Sequence, residues 1–120
     1  MKKSDLEDRL INFSVLIIDI SDEISNKRAG NHLTGQLIRS GTSAALNYGE
    51  ARSAESRRDF VHKIKIVLKE LRETYVCLRI IDRVNLCQTK EKIKRAITEN
   101  DELISIFVKS VETAQKNINR

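Results

Sequence analysis

The sequence predicts an all-α protein, an antiparallel up-down-up-down bundle of four helices. Three observations predict this class. Apolar residues recur at three- and four-residue steps in four separate segments, as on the buried face of a helix. No segment alternates apolar and polar residues as a half-buried strand would. The 120 residues contain no proline, are 32% charged and 40% hydrophobic, and carry a net charge of +5, a balance that suits one soluble helical domain over residues 1–120.

The first helix is predicted over residues 5–25, where an apolar stripe runs along one face, and the polar segment 25–31 ends it. The second helix is predicted over residues 31–50, and its inward face is unusually small. Glycine inside a helix costs about 1 kcal/mol relative to alanine, so Gly41 indicates that a neighbouring helix approaches closely. Asn47 and Glu50 are expected to bind the third helix. The predicted packing residues are Ser40, Gly41, Ala44, Asn47 and Glu50.

The third helix is predicted over residues 56–85, with Ser56 as its N-cap and Asp59 in its first turn, where a carboxylate favours the helix dipole. The fourth helix is predicted over residues 89–118 from the spacing of its isoleucines, Phe107 and Val111. Because the connections between the four segments are short, successive helices should run in opposite directions.

Two of the helices carry a second apolar face. A monomeric bundle needs one buried stripe on each helix, and contiguous exposed apolar surface marks an interface. We therefore expect the first and third helices to contact other subunits, the alternative being isolated apolar surface residues. The residues expected at the subunit interface are Ile11, Val15, Ile18, His62, Ile66, Cys77, Ile80 and Val84.

Four basic residues of the third helix are spaced by seven and so drift only slowly around it: Arg58, Lys65, Arg72 and Arg79. Arg83 follows four residues later, and Lys69 lies close to the same line. They could follow the phosphates of RNA or DNA whatever the base sequence, because each neutralised phosphate releases counterions. The alternative is a solvated face partly neutralised by pairs such as Lys69–Glu73. The candidate nucleic-acid-binding residues are Arg58, Lys65, Lys69, Arg72, Arg79 and Arg83.

The residue patterns of common catalytic and metal sites are missing from the sequence. Gly41 and Gly49 lack the lysine and the preceding strand of a phosphate-binding loop. There is no Glu-x-x-His pair for a di-iron centre, and His32 and His62 have no regular ligand spacing. The sequence therefore predicts a protein that is not an enzyme and that has no cofactor and no metal.

Cysteine use and hydropathy predict the compartment. Cys77 and Cys87 form no C-x-x-C pair, and no signal peptide is visible, which favours thiols in a reducing cytoplasm. The apolar run at 10–20 is too short to span a membrane. We expect a cytoplasmic protein without a membrane partner.

Two stretches carry a family likeness. RSGTSAALNYGEA at 39–51 and DFVHKIKIVLKELRETYVCLRII at 59–81 resemble the bacterial four-helix-bundle family encoded in intervening sequences of 23S ribosomal RNA genes. The resemblance implies an antiparallel bundle that assembles as a ring, typically a homopentamer, although family members often carry an aromatic residue near the position of Cys77. The accessory variability proteins of diversity-generating retroelements are more distantly similar and form basic pentameric barrels that bind a reverse transcriptase and nucleic acid.

The resemblance and the charge pattern together predict a function. The family that the chain resembles has no established biochemical activity. We expect a non-enzymatic oligomeric bundle that binds structured RNA or DNA through the basic residues of the third helix. The alternative is a protein-interaction scaffold that binds another protein and no nucleic acid.

Overall fold

The computed structural model describes residues 3–119, with the side chains of residues 5–119. Four helices follow one another: α1 (Lys3–Ser21), α2 (Arg28–Ala51), α3 (Arg57–Arg83) and α4 (Lys90–Ile118). Within the described range the only extended pairing is a single bridge between Ile24 and Cys87, so the fold is all-α. No helix in that range is both long enough and apolar enough to cross a membrane.

The helix ends differ most from the prediction at the α1–α2 connection. The first helix ends at Ser21 and not at 25: the amide of Glu23 donates to the Ile20 carbonyl three residues back (2.9 Å), and the amide of Ser25 donates to the Leu86 carbonyl (2.9 Å). At the start of α3, the predicted N-cap is confirmed: Ser56 Oγ accepts a hydrogen bond from the Asp59 amide at 3.0 Å.

The end of α3 is closed by a left-handed residue. Asn85 has φ of 55°, and its amide donates to the Asp82 carbonyl (3.2 Å) while that of Leu86 donates to the Ile81 carbonyl (3.1 Å). This is the Schellman arrangement, in which asparagine is one of the few residues that tolerate the left-handed position. The turn places Leu86 where its carbonyl meets the α1–α2 connection.

The core lies between all four helices. The second helix packs on α1 and α3, and α4 packs on α3 and α1. Among the described residues, no Cα of α1 comes within 8 Å of one in α3, so these two helices lie diagonally. Across the other diagonal, the rings of Tyr48 and Phe107 meet edge to face with centroids 5.5 Å apart. The largest fully buried side chains are Phe13, Phe107, Leu10, Ile17, Ile20, Leu37, Ile64, Leu71, Leu78, Ile81, Ile93 and Leu103.

Polar contacts show which ends of the helices are neighbours. Arg52, just after α2, binds Glu7 near the start of α1 (2.9 Å). Arg57, the first residue of α3, donates to the carbonyl of Asn117 near the end of α4 (3.3 Å). At mid-length, the buried Asn100 amide of α4 donates to the Leu71 carbonyl of α3 (3.0 Å).

Candidate nucleic-acid interface

Six basic side chains lie on the outer side of α3, away from the core, and we call them the basic line. The helix turns its other side inward through Ile64, Leu71 and Leu78, which are fully buried. A spacing of seven residues is close to two helical turns, so residues so spaced stay on one side. All six are exposed: Arg58, Lys65, Lys69, Arg72, Arg79 and Arg83.

Within the described residues, no carboxylate compensates the charge of the basic line. Among the described residues, none of its six members forms an ion pair with a carboxylate, and the Lys69–Glu73 pair considered above does not form. Glu73 pairs instead with Arg39 of α2, which also reaches Glu70 (3.2 Å). The carboxylates of α3 that face α2 are thus used in helix packing, and the outer side stays cationic.

One end of the basic line, at Arg79 and Arg83, borders a groove that no sequence pattern indicated. This open groove of about 540 Å³ lies between α3 and α4, and among its lining residues are Arg79, Arg83 and Lys94. The Arg79 guanidinium lies over the ring of Tyr75, 5.6 Å from its centroid, which restricts the side chain. Only the packing of α4 beside α3 brings Lys94 here, so no pattern within one helix could have identified it.

The residues predicted to face another subunit divide into exposed and covered ones. On α1, Val15 is 60% exposed, and Ile11 and Ile18 are each 47% exposed. On α3, His62 and Ile80 are exposed and Ile66 is half-buried, and Val84, the C-cap that follows α3, is exposed. Three further large apolar residues are exposed and were missed: Val76 on α3, and Ile38 and Leu46 on α2. Each could have been found by checking which apolar residues fall outside the core stripe of its helix.

Cys77 was expected on the second apolar face of α3, and the structure does not expose it there. Its side chain is buried within the chain, only 6% exposed, and its Sγ donates to the Leu33 carbonyl of α2 (3.6 Å). Burial raises the pKa of this thiol. Cys77 is buried because α2 packs closely on this side of α3, where Thr74 Oγ1 donates to Ser40 Oγ at 2.9 Å.

The predicted packing residues of α2 contact two different helices. A Cβ on Gly41 would stand 2.8 Å from Ile17 Cγ2, so the closely approaching helix is α1. Ala44 is fully buried, and Glu50 pairs with Lys63 of α3 (3.1 Å). The predicted bond from Asn47 to the third helix is wrong, because its amide donates to the Ser43 carbonyl one turn earlier in α2 (2.9 Å).

Glu23 ties the α1–α2 connection to the start of α4. Its carboxylate accepts hydrogen bonds from Lys92 and from the Thr89 hydroxyl, and these bonds hold its pKa below the ordinary value. Burial raises the pKa of Cys87 nearby. Within the described range, no group of His, Cys, Asp or Glu side chains is arranged to hold a metal ion.

Known proteins resemble this chain in both sequence and structure. The crystal structure of a protein of unknown function from the S23 ribosomal protein family of Bacteroides thetaiotaomicron is similar to it, with a TM-score of 0.83 and 29% identity over 93% of this chain and 99% of that chain. No curated protein matches the sequence. The model of the 23S rRNA-intervening sequence protein family matches residues 2–109. The chain therefore belongs to the 23S rRNA-intervening sequence protein family.

Proposed function

We propose that this chain is a non-enzymatic protein that assembles as a ring of antiparallel four-helix bundles and binds structured RNA or DNA through its basic line. One observation carries the proposal: the six cations of the basic line are exposed on one side of α3 and have no carboxylate partner among the described residues. Such a surface attracts phosphates.

Contacts between helix ends support the antiparallel arrangement. The start of α1 adjoins the end of α2 through Glu7 and Arg52, and the start of α3 adjoins the end of α4 through Arg57. Between α1 and α4, Arg9 binds Glu99 (2.6 Å), while Asp19, later in α1, binds Lys92, earlier in α4 (3.1 Å). Each helix would thus run opposite to both of its neighbours, as in an up-down-up-down bundle.

The exposed apolar residues support the ring. Those of α1 and α3 belong to helices that lie diagonally across the molecule, so they form two separate surfaces. Two different surfaces that fit one another generate closed rings when the rotation between subunits closes. The resemblance noted above implies five subunits.

The proposed nucleic-acid contact would read the phosphate backbone and not the bases. Seven helical residues advance about 10.5 Å, so the basic line follows a path along the length of α3. Among the described residues, no exposed aromatic side chain accompanies the basic line, since Tyr75 is half-buried under Arg79. Affinity would therefore depend on salt far more than on sequence.

Binding of ribosomal RNA fragments at several salt concentrations tests the proposal. We expect affinity to fall steeply as salt rises, and Lys65→Glu with Arg72→Glu to remove most of it, because repulsion replaces two phosphate contacts. The matched control is Lys109→Glu with Lys116→Glu, which makes the same charge change at exposed positions of α4. An affinity that does not change with salt would overturn the proposal, and so would equal affinities of the α3 double variant and the α4 control.

Leu46 favours an alternative function, a protein-interaction scaffold without nucleic-acid binding. It is 71% exposed on α2, outside the apolar surfaces of α1 and α3. A partner protein that stays bound after nuclease treatment and is released by Leu46→Ser would support this alternative. Release of all bound material by nuclease would count against it.

A further inference from the structure

The exposed apolar residues of α1 lie between two carboxylates. Asp8, Ile11, Val15, Ile18 and Asp22 follow one another at steps of three and four, so they share one side of the helix. All five are exposed. The Asp22 amide still donates to the Ile18 carbonyl (3.2 Å), which continues the helical path to Asp22. Among the described residues neither aspartate forms an ion pair. We call these five residues the acid-ended stripe.

The outer side of α3 carries the opposite pattern. Lys69, Val76, Ile80 and Arg83 lie on one side of the helix and are exposed, with Val76 56% and Ile80 44% accessible. Cations stand at the two ends with the apolar side chains between them, and Arg72 and Arg79 of the basic line flank this stripe on one side. Both cations are unpaired within the described part of the chain. We call these four residues the cation-ended stripe.

The two stripes match in length and in charge. Asp8 and Asp22 are separated by as many positions as Lys69 and Arg83, about 21 Å at 1.5 Å per residue. Pairing them would set each carboxylate against a cation and the apolar residues against one another. Pairing either stripe with its own copy would instead oppose like charges, which is costly.

The two stripes cannot meet within one molecule. The helices that carry them lie diagonally, with no Cα atoms within 8 Å among the described residues, and both stripes face outward. A partner for each stripe must therefore come from another molecule, and a second copy of this chain presents the complementary one.

We propose that the acid-ended stripe of one copy packs on the cation-ended stripe of the next, with Asp8 and Asp22 opposite Lys69 and Arg83. This inference rests on the proposed ring and names the surfaces that build it. It also divides the basic line: Lys69 and Arg83 belong to the subunit contact, and Arg58, Lys65, Arg72 and Arg79 stay open to nucleic acid.

A charge-swap experiment on the full chain tests the pairing. Asp8→Lys with Asp22→Lys, and separately Lys69→Glu with Arg83→Glu, should each raise the dissociation constant of the oligomer by about tenfold or more. Light scattering would then show mass falling toward the 13.8 kDa chain. The quadruple variant has the net charge of the wild type and should recover its mass. Failure of the quadruple variant to recover it would overturn the pairing.

Two controls separate this inference from the proposals on which it rests. Asp101→Lys with Glu112→Lys makes the same charge change at exposed sites of α4 and should leave the mass unchanged. Arg58→Glu with Lys65→Glu should weaken RNA binding and keep the oligomer. A monomeric wild type would overturn both the ring and the pairing. If the wild type is an oligomer and both charge-reversed double variants keep its mass, the pairing alone is overturned. Circular dichroism checks that each variant stays helical.

Discussion

Gly41 determines how closely α1 and α2 approach. The position where its Cβ would stand is 2.8 Å from Ile17 Cγ2 and 3.0 Å from Cγ1, and Ile17 is fully buried. Ser14 Oγ of α1 also reaches the Gly41 carbonyl at 3.1 Å. A β-branched side chain has little rotamer freedom in a helix, so Ile17 cannot move aside without a shift of the backbone.

Gly41→Ala should therefore destabilise the protein although alanine is the better helix former. Overpacking costs about 1–3 kcal/mol, against a gain of about 1 kcal/mol in helix propensity, and Gly41→Leu should cost more. Chemical denaturation measures the change. The matched control is Gly35→Ala, where no atom lies within 4 Å of the added Cβ and a gain of up to about 1 kcal/mol is expected.

A double-mutant cycle assigns the cost to one contact. In the background of Ile17→Ala the two atoms nearest to the added Cβ are gone and only the Cβ of residue 17, at 3.2 Å, remains, so Gly41→Ala should destabilise the protein much less. An equal loss of stability in both backgrounds would mean that Gly41 serves another purpose.

At the scale of secondary-structure elements, Glu23 holds the α1–α2 connection against the start of α4. Hydrogen bonds from Lys92, and then from Thr89, lower the pKa of its carboxyl group in the folded state. These bonds stabilise the folded protein fully when the pH is above 4.5, the ordinary pKa of the carboxyl group. Their contribution is lost as the pH falls through the lower pKa that Glu23 has in the folded state. The Lys92 pKa is raised, first by its bond to Glu23, so its share persists until the pH exceeds 10.5.

Glu23→Gln should therefore lower the free energy of unfolding at neutral pH, and the difference from the wild type should shrink as the pH falls below 4.5. Urea denaturation across this range measures it. Glu55→Gln, at an exposed position of the α2–α3 turn, controls for the loss of one negative charge. A difference between Glu23→Gln and the wild type that stays constant with pH would contradict the assignment.

The four helices could be predicted from the sequence because each carries its own apolar stripe. The ends of the helices are harder to predict, since contacts between distant segments help to set them. The segment after α1, for example, is held in an extended pairing by the Ser25 amide, which donates to the Leu86 carbonyl. Buried Gly30 lies in the first turn of α2, where an added Cβ would stand 1.8 Å from the Ser25 carbonyl oxygen. Such contacts depend on which connection lies beside which, and helical periodicity does not contain that information.

The candidate nucleic-acid interface also contains features that one helix predicts and features that depend on neighbouring helices. The exposure of Arg58, Lys65 and Arg72 follows from their spacing on one helix and could be predicted. The burial of Cys77 and the approach of Lys94 to Arg79 depend on the neighbours of α3, which the periodicity of one helix does not identify.

For the whole molecule, a ring would multiply the phosphate contacts. Several copies of the basic line on one long RNA act at high effective concentration, so affinity and its salt dependence should both exceed those of one subunit. Val15→Asn with Ile18→Asn should weaken the oligomer without changing the net charge, since both residues are exposed apolar members of α1.

The expected result for this uncharged variant is a shallower slope of log affinity against log salt on a long RNA, with little change on a fragment short enough to contact one subunit. Filter binding and light scattering on the same samples measure both. An unchanged slope in a dissociated variant would mean that one subunit makes all the contacts.

The neighbours of the helix ends have a practical consequence for engineering. Arg52 binds Glu7, and Arg57 binds the carbonyl of Asn117, so the start of α1 and the end of α4 both adjoin the α2–α3 turn. The hydrogen-bonded pair of connections around Ser25 and Leu86 lies at the opposite pole. A circular permutant that is opened within 53–55 and joined from the last helix to the first would keep every helix uninterrupted. Affinity tags placed before α1 or after α4 would leave the same pole of each subunit.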